Sequence, residues 1–415
     1  MEDKRIIFHI DVNSAYLSWI AASRLQQGES LDLREVPSAV GGDVESRHGI
    51  ILAKSIPAKK YNIVTGEPIY KAKSKCDKLI IVPPNYSIFM RCSNAMDDLL
   101  KEYTPQIQRF SVDESFLEMS HYKDRYMEIA EEIKNRIKDE LGFTVNIGIS
   151  NNKLLSKMAS DFQKPNRIHT LFPNEIKKKM WKLPVEDLFM VGRATSPKLH
   201  KLNIYTIGDL AQYDLDILKR VFKSFGTTLY NYANGIDNSE VRKNGELKIK
   251  GIGNSTTTSF DMTQKDEALK VILSLTEMTT MRLRKSGNLC RLVAVSMRSN
   301  DFLSYSHQKR LEVPTDSTKL IYSALKKAFL ESWRGEALRH IGVRVSDFNN
   351  NDFYQSSLFE EEDIDKYRKL DKAIDEIRDK YGLKSIMRST FLHSGIEPLI
   401  GGNGEEDYLF MSSQL

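Results

Sequence analysis

The chain has 415 residues, with 61 Lys+Arg against 56 Asp+Glu for a net charge of +5, and is 40% hydrophobic and 28% charged. That composition excludes collagen-like and wholly disordered chains, and at about 150 residues per domain it argues for roughly three domains. No apolar run approaches the roughly 18 residues of a membrane span, the opening run Ile6–Ile10 is too short for a signal-peptide core, and Cys76, Cys92 and Cys290 form no CxxC pair. A cytoplasmic, reduced protein with no structural zinc is expected.

In chain order, Ile6 to Asp11 reads as a strand and Ala15 to Ala22 as a helix closed by Gln26-Gln27-Gly28. Residues 30–80 are broken repeatedly by Pro and Gly and carry Lys54, Lys59, Lys60, Lys71, Lys73, Lys75 and Lys78. A helix precedes Tyr103-Thr104-Pro105, and a strand is predicted from Phe110 to Met119. Ile129, Ile133, Ile137 and Leu141 then mark an amphipathic helix ended by Gly142, and Val145, Ile147 and Ile149 alternate as a strand. Residues 173–240 read as helical, with turns at Leu188–Thr195 and Asn203–Gly208.

From 247 to 348 the order is strand (Ser255–Ser259), helix (Lys265–Lys285), strand (Leu292–Met297), strand (Leu303–Val313), helix (Lys319–Trp333) and strand (Ile341–Val345). That is the β-α-β-β-α-β, ferredoxin-like split motif. One further helix is predicted from Ile364 to Lys380. The charge is uneven. Residues 1–240 carry 34 Lys+Arg against 31 Asp+Glu, residues 241–347 carry 19 against 11, and residues 348–415 carry 8 against 14. A basic module followed by an acidic tail fits a polyanion-binding surface with a separate interaction tail, or plain solvated surface.

Three carboxylates stand out by position. Asp11 ends the first strand, and Asp113-Glu114 lie between apolar residues in Arg109-Phe110-Ser111-Val112-Asp113-Glu114-Ser115-Phe116-Leu117. Burying two ionised carboxylates without partners is very costly. Divalent cations would remove that cost, and Mg²⁺ favours carboxylate oxygens together with substrate phosphates. Neighbours on a strand face opposite ways, so Asp113 and Glu114 must sit at a bend if both bind metal. Spacing alone favours a plain acidic hairpin turn.

Asp11-Val12-Asn13-Ser14-Ala15-Tyr16, Ser111-Val112-Asp113-Glu114-Ser115-Phe116-Leu117 and the long run from Gly148 to Asn166 (GISNNKLLSKMASDFQKPN) occur in this order. Together they closely resemble the Y-family, lesion-bypass DNA polymerases, nearest to the DNA polymerase IV or UV-damage-repair type of Gram-positive bacteria. The resemblance implies a right-hand polymerase of mixed α/β and α+β class. Its palm would span residues 1–28 and 81–172, its fingers 29–80, a helix-hairpin-helix thumb 173–240, a ferredoxin-like little finger 241–348, and a C-terminal tail 349–415.

The activity implied is error-prone, translesion DNA synthesis in DNA repair and the SOS response: primer 3′-hydroxyl attack on a dNTP with two Mg²⁺ (or Mn²⁺). On this resemblance Asp11, Asp113 and Glu114 hold the metals with the Val12 carbonyl, and Tyr16 is the steric gate against the ribose 2′-hydroxyl. Lys59, Lys60 and Lys164 face the triphosphate, while Gly192 and Arg193 of the thumb hairpin hold a duplex phosphate. Gln355-Ser356-Ser357-Leu358-Phe359 resembles the peptide by which bacterial polymerases dock on the sliding clamp, with Gln355, Leu358 and Phe359 as contacts. A monomer working on primer–template DNA, away from membranes, is expected.

The sequence departs from the family pattern in three places. Ile56 stands where a tyrosine is usual, Lys59 where an arginine is usual, and Met190 where the first glycine of the thumb Gly-x-Gly is usual. Lysine keeps a phosphate contact but lacks the bidentate fork of arginine. These departures motivate one alternative, a catalytically impaired DNA- and clamp-binding protein of polymerase shape; the paired carboxylates leave another, a nucleotidyl cyclase with a similar palm.

Overall fold

A computed structural model of the chain describes residues 5–43, 47, 49–243, 249–350, 364–396 and 398–399. Two compact units result. One holds residues up to 42 and from 50 to 243; the other holds 249–350 and the C-terminal segment from 364, with Asp43, Arg47 and Gly49.

The first unit contains strands β1 (Ile7–Val12), β2 (Ser38–Gly41), β3 (Ile51–Lys54), β4 (Ile80–Val82), β5 (Ile107–Arg109), β6 (Glu114–Glu118), β7 (Val145–Ser150) and β8 (Ile168–Thr170). Five of them form a sheet in the order β5-β6-β1-β7-β8, in which β1 is central and antiparallel to both β6 and β7. Alternation along β1 sorts its side chains between two cores. Phe8 and Ile10 pack with Val145, Ile147 and Ile149 of β7 and with helices Ala15–Gln26, Tyr86–Lys101 and Tyr126–Leu141. Ile7 lies on the other face with Phe116 and helix Lys153–Ser160, and that core continues into the helices between Ile176 and Ala233.

The eight-residue helix Lys153–Ser160 lies hard against β7 because β7 offers no side chain beneath it. A Cβ on Gly148 would stand 1.9 Å from the Ser156 carbonyl oxygen and 2.4 Å from the Ser160 nitrogen. The Asn152 side chain caps its start by accepting from Leu155 N–H at 2.8 Å. Strands β2, β3 and β4 build a small sheet in the order β3-β2-β4 over a separate core of Ala39, Ile51, Ala58, Ile63, Ile69, Ala72, Cys76 and Leu79.

The strand predicted from Phe110 to Met119 is in fact the tip and second arm of a hairpin. β5 ends at Arg109, residues 110–113 bend, and Phe110 and Ser111 N–H both donate to the Glu114 carbonyl at 2.9 and 3.2 Å. The Gly142 C-cap occurs as expected, at φ 78°.

The second unit runs β9 (Gly251–Met262), helix Lys265–Lys285, β10 (Asn288–Ser299), β11 (Ser304–Thr315), helix Thr318–Ser332 and β12 (Leu338–Asn350). Its antiparallel sheet has the order β11-β10-β12-β9, so each crossover helix skips one strand, which is the split β-α-β arrangement. Val293, Val295, Met297, Ile341, Val343 and Val345 bury one face against the helices. The other face carries Ser306, Ser296, Gly342 and Ser255 in one row across the four strands, beside Gln308, Ala294, Arg344 and Gly253 in the next.

The predicted tail helix forms from Ile364 to Tyr381 and packs on the two crossover helices. Arg284 grips Asp375 through two bonds of 2.6 and 2.9 Å, the Asp371 carboxylate accepts from Thr318 N–H at 2.8 Å, and buried Glu277 meets Arg378 at 3.3 Å and Arg388. Among the described residues, no helix is long and apolar enough to cross a membrane.

Candidate active site

The sheet places the three carboxylates at one end of the palm. Asp11 of β1 is the register partner of Glu114 on β6, and Val12 N–H donates to the Asp113 carbonyl at 3.0 Å across the same pair of strands. Asp113 stands on the hairpin bend, as the metal reading required, and the Ser111 hydroxyl donates to its carboxylate at 2.5 Å. Odd-numbered residues of β1 face helix Lys153–Ser160, so Asp11 shares a face with that helix and with the turn that follows it.

Each carboxylate meets a protein partner. Lys164 Nζ lies 2.8 Å from Asp11 and 2.8 Å from Asp161, and Lys157 Nζ lies 2.8 Å from Glu114. Lys157 is also held over the rings of Phe110 and Phe189, at 5.1 and 5.7 Å from their centroids. Beneath Glu114, buried His9 bonds Ser160 Oγ through Nδ1 at 2.8 Å and turns Nε2 to within 3.9 Å of the carboxylate. Burial, then Lys157, Lys164 and Lys153, hold His9 well below the ordinary histidine value, so the ring is neutral.

Burial pushes the Asp11 carboxyl up to about 6; Lys164 opposes the shift and the charge of Glu114 adds to it. Burial also raises Asp113 and Glu114, opposed by the Ser111 hydrogen bond at the first and by Lys157 at the second. Burial works to lower Lys164, but Asp11 and Asp161 outweigh it and raise the ammonium above its usual value.

Among the described residues, no three His, Cys, Asp or Glu side chains converge on one point as a finished metal cage, and Asp113, Glu114 and Asp11 are bonded instead to Ser111, Lys157 and Lys164. The donor set nonetheless suits a hard divalent ion. It consists of all-oxygen carboxylates, largely buried and raised in pKa, with Glu114 raising Asp11, Asp11 raising Asp113 and Asp113 raising Glu114.

Tyr16 sits in the first turn of its helix, half-buried and stacked on Phe89 at 4.5 Å. Lys59 and Lys60 are exposed at the end of the short helix Ile56–Lys59, whose Ser55 cap accepts from Ala58 N–H at 3.1 Å. Gly192 and Arg193 are exposed in the turn before helix Ser196–His200. Met190, in place of the usual glycine, holds a left-handed φ of 76°. Gln355, Leu358 and Phe359 lie outside the described residues.

Sequence reasoning did not single out Lys157, His9 or Asn146. Lys157 carried a signal, since it lies inside the quoted run and one helical turn beyond Lys153. His9 and Asn146 carried none, because their positions depend on strand register.

Family models match along most of the chain: the impB/mucB/samB family over residues 10–161, its C-terminal domain over 249–358, and the DNA polymerase-iota thumb domain over 186–237. DNA polymerase IV of Clostridium acetobutylicum is 47% identical over 390 residues, covering 94% of this chain and 98% of that protein. DNA polymerase IV 2 of Bacillus subtilis is 34% identical, covering 94% and 96%. A Dbh-Dpo4-Dbh Y-family polymerase chimera superposes with a TM-score of 0.71 at 20% identity, covering 83% of this chain and all of the chimera. These matches cover the segment that carries the carboxylates and both later parts of the chain, and the chain belongs to the impB/mucB/samB family, the Y-family DNA polymerases of the DNA polymerase IV type.

Proposed function

We propose that the chain is a DNA-directed DNA polymerase of the error-prone, translesion type, transferring dNMP from a dNTP to a primer 3′-hydroxyl. The observation that carries this reading is the register pairing of Asp11 with Glu114, beside Asp113 on the hairpin bend, within the segment 10–161 that matches this family. Enzymes of this family work with divalent metal ions. Two Mg²⁺ held by Asp11, Asp113, Glu114 and the Val12 carbonyl would supply charge neutralisation at the reacting phosphate. Mn²⁺ satisfies the same oxygen donors.

The protein's own groups do the positioning. Lys164, beside Asp11 and Asp161, would bind triphosphate oxygens, with Lys59 and Lys60 as further phosphate contacts. The Tyr16 ring, braced by Phe89, presents a flat wall under the sugar that a 2′-hydroxyl would strike. Gly192 and Arg193 offer a phosphate contact to the duplex, and the Ser-, Gly- and Arg-lined sheet face of the second unit offers a low surface for the DNA backbone. Gln355-Ser356-Ser357-Leu358-Phe359 docks on a sliding clamp. The protein acts as a monomer in the cytoplasm.

Primer extension with the single variants Asp11→Ala, Asp113→Ala and Glu114→Ala tests the reading. Each should abolish extension while leaving affinity for primer–template within a few-fold of the parent. Near-parental extension by any of the three removes that residue from the metal set. A parent protein that binds DNA but incorporates no dNTP would instead favour the catalytically impaired alternative motivated by Ile56, Lys59 and Met190.

A further inference from the structure

Lys164 stands on a turn, and nothing in the turn's own sequence explains why its ammonium faces Asp11. The explanation lies one strand away. Asn146 is the register partner of Asp11 on β7, on the same face of the sheet, and it is fully buried. Its carboxamide uses all four of its hydrogen-bonding positions. Nδ2 donates to the carbonyls of Gln163 at 2.7 Å and Ser160 at 2.9 Å, and Oδ1 accepts from Arg167 N–H and from Asn13 Nδ2, both at 3.2 Å.

Asn13 completes the grip. Its Oδ1 accepts from Asn166 N–H at 2.8 Å and from the Thr144 hydroxyl at 3.0 Å. The backbone is therefore held immediately before Lys164, at Gln163, and again just after it, at Asn166 and Arg167. Lys164 projects from between these clamps to a point 2.8 Å from both Asp11 and Asp161.

We infer that Asn146, assisted by Asn13, is a positioning residue for the known reaction: it fixes the Gln163–Arg167 turn so that the Lys164 ammonium is presented where the dNTP triphosphate must lie. The inference rests on the reading of Lys164 as the triphosphate-contacting lysine. Asn146 never touches the nucleotide and acts through the turn alone. A shift of about 1 Å in a positioned group far from the bond being made is enough to lower a rate on the order of 100-fold.

The test is steady-state single-nucleotide insertion by the full chain, with KM for dNTP and kcat measured separately. The proteins are the parent, Asn146→Ala, Asn13→Ala, Lys164→Ala, and each asparagine variant combined with Lys164→Ala. Asn13→Ala loosens the same turn from its other end and serves if the fully buried Asn146 proves indispensable for folding. Either asparagine variant should lower kcat/KM by about tenfold or more, and it should divide the loss between KM and kcat in the same proportion as Lys164→Ala. In the Lys164→Ala background, the same asparagine change should alter neither constant by more than about twofold, because the group it positions is gone.

Losses that multiply in the double variants, or asparagine variants at parental values beside an impaired Lys164→Ala, overturn the inference and leave the assignment of Lys164 standing. Parental constants for Lys164→Ala itself overturn the assignment of Lys164, and the inference with it.

Discussion

Tyr16 can be read as a core aromatic of the first helix or as a wall against ribose, and the two readings predict different variants. Its ring stacks on Phe89 yet remains half-exposed at the turn directly after Asp11. Tyr16→Ala should therefore admit ribonucleotides, raising rNTP incorporation relative to dNTP by on the order of 100-fold or more in paired insertion assays. An unchanged sugar preference would show that the ring serves the core alone.

Lys153 makes a stability prediction. It has no exposed surface, and its ammonium donates to Gln108 Oε1 at 2.9 Å, approaches the Glu240 carbonyl at 3.3 Å and lies over the Phe116 ring. Burial lowers its pKa from 10.5 to about 8, with Asp237 opposing. Because the folded value lies below the ordinary one, the fold penalises the protonated form. The penalty is full below pH 8 and disappears as pH rises toward 10.5. Relative to Lys153→Met, the parent should gain stability across that window, as read from denaturant midpoints at both ends.

Residues such as Asp11, Asp113 and Glu114 were legible in the sequence because ionised side chains between apolar neighbours are conspicuous wherever they lie. Asn146 and His9 were not. Their roles come from cross-strand partners more than 100 residues away, at Asn13 and Ser160, which no local pattern encodes.

Among the elements, those with strong periodicity were read closely. The helix expected over Lys265–Lys285 forms over those residues, and the strands flanking it extend further than their alternation indicates because ladder pairing continues past the apolar stretch. The β5–β6 hairpin was foreseen only through its acidic pair, and the segment was otherwise read as one strand, because Ser111-Val112-Asp113 contains neither Gly nor Pro. Its bend is imposed by two N–H groups donating to one carbonyl rather than by turn-forming residues.

Helix Lys153–Ser160 and β7 act as one element through Gly148. Gly148→Ala should force the helix off the strand and carry Lys157 and the Lys164 turn with it. Overpacking of this kind costs about 1–3 kcal/mol or more. Thermal melting should show a lowered midpoint, and primer extension measured well below it should still be strongly impaired. Full extension at parental stability would mean that the backbone absorbs the methyl group without moving the lysines.

At the scale of the whole molecule, the sequence indicated a polymerase hand but treated the acidic C-terminal segment as a separate tail. Part of that segment is structural. Helix Ile364–Tyr381 is bolted to the little finger's crossover helices by Asp371, Asp375 and Arg378. Arg378→Ala would leave the nearly inaccessible Glu277 with Arg388 as its remaining cationic partner among the described residues. Breaking a buried ion pair costs about 3 kcal/mol or more, so the unfolding midpoint of the second unit should fall clearly in urea, and an unchanged midpoint would show that Arg388 suffices.

The same docking gives the module an electrical front and back. On the helical side, Arg284, Lys285 and Arg368 are each matched by a carboxylate, two of them by the tail helix's own Asp375 and Asp379. The opposite side, with Arg298 and Arg344 exposed among serines and glycines, receives no such cover from that helix. The described part of the tail thus supplies counterions to the helical surface. An approaching polyanion should therefore be turned toward the strands before any contact forms, a bias that added salt should weaken.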